Sequence, residues 1–138
     1  MSLNINEKID LFQLKNQLVI PNDLVEYFKL TNDEIDAYNL DMFVFYKFDE
    51  FKSVKEEVGN FGGIPDYRKI VQTLPFHESC FVFAEWMIHS AVYAIRLNND
   101  NSYGNEIYAI SGHYFEVVAN SFTDFLEIYK KDFNDILI

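Results

Sequence analysis

Hydrophobic residues recur at two different spacings along this chain, dividing it into helical ends and a strand-rich middle. Near the start, Ile5, Ile9 and Phe12 fall on one helical face, and Asn4 with Glu7 three residues on makes a capping-box start. A second helix is predicted to open at Pro21, whose fixed φ suits a first helical turn. Asp23 and Glu26 follow where the helix dipole favours acids, and Leu24, Tyr27 and Phe28 form the buried face. A polar, acidic connection occupies 31–41, and residues 42–46 (Met-Phe-Val-Phe-Tyr) then read as a buried strand. Asp49 is placed to cap a short helix with Phe51, Val54 and Val58 on its apolar side, closed by Gly59. Four strands are predicted at 80–86, 91–97, 105–110 and 113–119. Their connections are far too short for parallel crossovers, so the sheet is a mainly antiparallel meander. Such a sheet can leave one face to water, and the acids are expected there. The chain closes on a helix over 121–131. Ser121 is its cap, Asp124 takes the reciprocal capping-box position, and Phe122, Phe125, Leu126 and Tyr129 form a docking stripe. Helices flanking an antiparallel meander at its N- and C-terminal ends give an α+β fold.

Composition makes this one domain over 1–138. The chain is 49% hydrophobic and 17% aromatic. That is enough apolar surface to build a core without a disulfide or metal. The single cysteine, Cys80, lies in the apolar run Cys80-Phe81-Val82-Phe83-Ala84 and reads as a small core residue, which fits a reducing compartment. No stretch approaches ~18 uninterrupted apolar residues, and the first residues form neither a basic leader nor an apolar signal core. The expectation is a soluble cytoplasmic protein. Residues 59–66 are glycine-rich, but no Lys-Ser/Thr opens a helix after them, so they read as a plain loop.

Charge narrows the function. The net charge is −11, and residues 70–129 hold seven acidic side chains against the single base Arg96, a net −6. A chain of this sign lacks the basic stripe that nucleic acid requires. His77, His89 and His113 are scattered without a metal-binding motif, although two of them with Glu78 or Glu116 would be suitable ligand types. Ser111-Gly112-His113 lacks the context of a catalytic triad. The reading is a non-enzyme with no cofactor and no metal, whose partner is something basic. Glu85, Glu106 and Glu116 interrupt strands and are the candidate contacts on the wet face. Trp86-Met87-Ile88 is anomalous for a hairpin turn, where Gly, Asn or Asp is usual. Either the strand continues and Met87 or Ile88 packs under a terminal helix, or Trp86 is an exposed anchor beside Glu85, the composition of an interface hot spot. Tyr103, Tyr108 and Tyr114 are secondary candidates.

Three patterns, in order, carry a resemblance to a known family: Ile20-Pro21 followed by Leu24 and Phe28; Phe83-Ala84-Glu85 followed by Tyr93-Ala94-Ile95; and Val118-Ala119-Asn120-Ser121-Phe122 leading to Phe125-Leu126. Together they span about residues 20–130. The set resembles the SUKH superfamily, named after yeast cell-wall-synthesis regulators and rich in bacterial immunity proteins. The chain departs from the family pattern after its early helix and after Phe-Ala-Glu, where Trp86 to Ser90 stand in place of a glycine turn. The resemblance implies an α+β SUKH-like domain and, for most bacterial members, neutralisation of a cognate protein toxin. A regulatory interaction module or scaffold without a toxin partner is the alternative, and an enzyme or small-ligand binder using a pocket in the sheet is the third possibility.

Overall fold

Short side-chain caps start most of the helices, and nearly continuous apolar runs make the strands. The computed structural model describes residues 3–32, 42–100 and 104–138. Most of the polar connection expected over 31–41, and Tyr103, lie outside them. Helix α1 spans Ile5–Asn16, with the full Asn4/Glu7 capping box. Helix α2 spans Asn22–Thr31, with Pro21 at the cap position and Leu24, Tyr27 and Phe28 buried. Strand β1 is Phe43–Phe45 and β2 is Lys52–Ser53. Two short helices follow, α3 at Val54–Val58 and α4 at Ile70–Thr73. Strands β3 (Cys80–Trp86), β4 (Ala91–Arg96), β5 (Ile107–Ser111) and β6 (Tyr114–Ala119) come next. Helix α5, Phe122–Asp132, closes the sheet, with Asp124 N donating to Ser121 Oγ at 3.0 Å.

Among the described residues, the strands form one six-stranded sheet in the order β1-β3-β4-β5-β6, with β2 pairing β3 beside β1. Every pairing is antiparallel. The α+β meander flanked by terminal helices is therefore what the chain adopts. One local expectation is corrected. Asp49 does not cap a helix running through Phe51. It lies in a 3-10 turn at Phe48–Glu50, the chain then extends as β2, and Ser53 caps the shorter α3 by accepting from Glu56 N. Phe51 still turns inward, buried against Phe81 and Phe28.

The larger correction concerns the sheet's second face, which is not wet. One face carries Phe81, Phe83, Tyr93, Ile95, Ile107 and Ala109 and packs under α1, α2 and α5. The opposite face carries Val82, Val92, Ala94, Tyr108 and Ile110. It is covered by Val54 and Val58 of α3, by Tyr67, and by Ile70 and Leu74 in and after α4. Strands covered on both sides have no polar alternation. Accordingly Cys80–Ala84, Ala91–Ile95 and Ile107–Ile110 are buried at every position.

Candidate functional site

The β3–β4 hairpin turns through Met87-Ile88-His89, and all three residues have left-handed φ values of 50°, 51° and 65°. None is a glycine. A β-branched residue such as Ile88 rarely enters this region. Each such residue costs on the order of 1–3 kcal/mol and persists only where its surroundings hold it there. The restraints here are numerous. Met87 N donates to Met42 O at 3.0 Å, and Ser90 N and Oγ both donate to Met87 O. Tyr67 Oη donates to His89 O at 2.7 Å, and Ser111 Oγ donates to Ser90 O at 2.8 Å. Burial pushes the Tyr67 hydroxyl above its ordinary pKa, so it stays protonated as a donor.

The His89 ring adds a second tier of restraint. Nε2 lies 2.9 Å from Glu57 Oε2, and Nδ1 lies 3.0 Å from Glu85 Oε2. Each ring nitrogen therefore has a carboxylate oxygen within hydrogen-bond distance. Tyr46 Oη lies 3.0 Å from each of the same two oxygens. Burial first, then the two carboxylates, drive the Tyr46 hydroxyl pKa far upward, so it too remains a donor. Phe61 stacks on the imidazole, with centroids 5.5 Å apart and planes 21° apart. Glu57, Glu85 and His89 are suitable donors for a divalent cation, and their ligand atoms lie within 4.8 Å of one another. Those donor atoms already face one another within the cluster, which acts as a bracket for the turn.

What the bracket presents is apolar. Met87 is 44% exposed and Ile88 76% exposed, and Met42 beside them is 57% exposed. Neither Met87 nor Ile88 packs under a terminal helix, which corrects one of the two readings of this segment. Trp86 is half-buried and packs against the core, so the exposed apolar side chains here are the two residues after it.

The predicted acids do not share one surface. Glu85 is opposite Val92, on the face covered by α3, and is committed to Tyr46 and His89. Glu106 lies beside Arg96, four residues further along β4 or roughly 13 Å away. It pairs with Arg96 Nη1 at 3.2 Å and accepts from Tyr108 Oη at 3.3 Å. The Arg96 guanidinium also sits 3.6 Å from the centroid of Phe76. Glu116 is opposite Ala109, which the register places on the other face of the sheet. It is exposed and accepts from Tyr114 Oη at 3.1 Å. The expectation that all three acids project from one wet face therefore fails, because that face is covered and the three occupy separate places.

Sequence reasoning did not find Tyr46, Glu57 or His89 as a unit. The one local signal was the Glu85-x-x-x-His89 spacing across a turn without glycine, and Glu57 joins only through the packing of α3. Other open surfaces are less organised. A cavity of about 390 Å³ between α1 and Phe48–Lys52 is floored by Phe12, Phe48, Phe51 and Phe81. No described helix is long and apolar enough to cross a membrane.

No curated protein and no solved structure matches the chain. The model of the SMI1 / KNR4 family (SUKH-1) matches residues 6–128, from the first turn of α1 to the middle of α5. That span takes in both helical layers, the whole meander and the bracketed turn, so the chain belongs to the SMI1 / KNR4 (SUKH-1) family.

Proposed function

We propose that this protein is an immunity-type inhibitor that binds a cognate, basic protein toxin and neutralises it by stoichiometric occlusion, without chemistry of its own. The observation that carries this reading is the Met87–Ile88 turn, two apolar side chains held in solvent on a strained, multiply hydrogen-bonded backbone. Anchors ordered in advance lose little entropy on binding, and a few such groups dominate interface energies. Trp86 packs on the core just before the turn, and Glu85 fixes the turn's shape through His89. Glu116 is the exposed acid offered to a basic partner, while Glu106, already paired with Arg96, is the less available of the two. Family membership and the net charge of −11 support the same reading.

Co-expression with the product of the adjacent gene tests the proposal. Tagged wild-type protein should capture that product in a one-to-one complex and relieve its toxicity. Ile88→Asp and Met87→Asp should lose capture by at least tenfold while melting as the wild type does. Capture that ignores both changes would overturn the assignment of the turn. A captured partner with no toxicity of its own would replace the toxin reading with that of a regulatory module.

A further inference from the structure

The two edges of the sheet are built differently. On one side β1 and β2, of three and two residues, lie end to end along β3. Such short strands blunt an edge against pairing. On the other side β6 runs six residues with no partner strand beyond it among the described residues. It has no Lys and no Pro to guard it. Its bulge lies at the Ala119 end, opposite Ile107 and Tyr108, leaving Tyr114–Val117 in regular register. Tyr114 is 56% and Val117 52% exposed.

The hairpin before β6 sets which backbone groups are available. Gly112 has φ +64° and the loop is two residues long, closed by the Ser111–Tyr114 pair. In such a hairpin the closing pair exchanges both hydrogen bonds, and the alternation then turns the N–H and C=O of Phe115 and Val117 away from β5. The charged side chain that β6 itself carries is Glu116. Between Arg96 and Lys130 the sequence has no Lys or Arg, whereas Glu106, Glu116, Asp124 and Glu127 fall in this stretch. A second copy would set these acids against themselves on a chain already at −11.

We propose that the outer edge of β6 receives an extended basic segment of the partner protein, which adds to the sheet as a further antiparallel or parallel strand. This rests on the reading of the chain as a protein-binding module and names a second contact for it. Main-chain bonds to Phe115 and Val117 supply register, and the two faces select side chains. On the Tyr114–Glu116 face the segment carries Lys or Arg, and on the Phe115–Val117 face it carries apolar residues.

A capped heptapeptide alternating Lys and Val is the probe, with its Glu-Val counterpart as control. On adding the Lys-Val peptide to the full chain, the amides of Phe115 and Val117 should gain at least tenfold protection from hydrogen exchange. The Glu-Val peptide should bind at least tenfold more weakly. Val117→Lys, which places a guard on the edge, should cut Lys-Val affinity at least tenfold. Glu116→Lys should reverse the preference between the two peptides, which keeps the test decisive if Val117→Lys folds poorly. Absence of binding, binding without protection of those amides, or indifference to both variants would overturn the edge proposal and leave the Met87–Ile88 turn to stand on its own capture test. A dimer in sedimentation that Val117→Lys dissolves would also overturn it, by assigning the edge to a second copy.

Discussion

Tyr67 shows how one side chain serves two layers. Its ring is fully buried in the second core, and its hydroxyl emerges at the strained turn to hold the His89 carbonyl at 2.7 Å. Tyr67→Phe keeps the ring and removes that bond, so it should cost about 1 kcal/mol, the net value of a typical hydrogen bond. The loss should be local as well as global, with amides of Met87 to Ser90 exchanging faster than those of β4. Unchanged exchange in the turn would mean that its remaining hydrogen bonds hold it without Tyr67. Cys80 behaves differently. Burial pushes its thiol from the ordinary 9.0 up to about 12, with Glu106 adding to the rise and Arg96 opposing it. The folded value lies above the unfolded one, so this group's contribution to stability is complete below pH 9 and is lost as pH rises from 9 toward 12. Native protein should therefore resist an aromatic disulfide reagent at pH 8, and denaturant should release one equivalent of reactive thiol. Rapid labelling of the native state would contradict the buried assignment.

At the scale of elements, α5 is the clearest link between pattern and packing. Its stripe puts Phe125 at 0% exposure, edge-on to Phe83 at 5.1 Å and near Tyr93 at 5.4 Å. Phe125→Ala should destabilise by about 3–5 kcal/mol, the range for deleting a buried aromatic ring, as measured by denaturant unfolding. A cost below about 1 kcal/mol would mean that α5 does not clamp the sheet. This helix was legible because capping and a 3.6-residue period agree in the sequence. The same holds for α1, with Asn4 and Glu7, and for the four long strands. The second core layer was harder to read. Helix α4 has only four residues, too few for a period, and Tyr67, Ile70 and Leu74 reach the sheet from a stretch dominated by turns and loops. One clue was nevertheless present, because Cys80–Ala84 and Ala91–Ile95 are apolar at every position, and a half-wet strand would alternate. Misjudging that face also misplaced the acids, since register alone sends Glu85 and Glu116 to opposite sides. The His89 bracket was illegible for a different reason. Its members come from β1's end, α3 and the hairpin, and only the tertiary fold brings them into hydrogen-bond contact.

For the whole molecule, a net charge of −11 acts before any contact forms. A field of one sign raises the encounter rate with an oppositely charged surface and weakens as salt screens it. If the proposed partner is basic, its association rate should fall as ionic strength rises past ~0.15 M, where the Debye length is about 8 Å. Dissociation, which the proposed apolar contact would govern, should change little. The two acids outside the bracket then separate by their surroundings. Glu116 is exposed and accepts a hydrogen bond from Tyr114 Oη, so Glu116→Lys should leave stability within ~0.5 kcal/mol while slowing association. Glu106 is half-buried against Arg96, so Glu106→Lys sets two cations together beside Phe76 and should lower stability measurably as well as the rate. Stopped-flow association across a salt series, run beside urea melts of both variants, distinguishes these effects. A rate indifferent to salt and to Glu116→Lys would mean that the partner is not recognised by charge, and the weight of recognition would pass to Met87 and Ile88 alone.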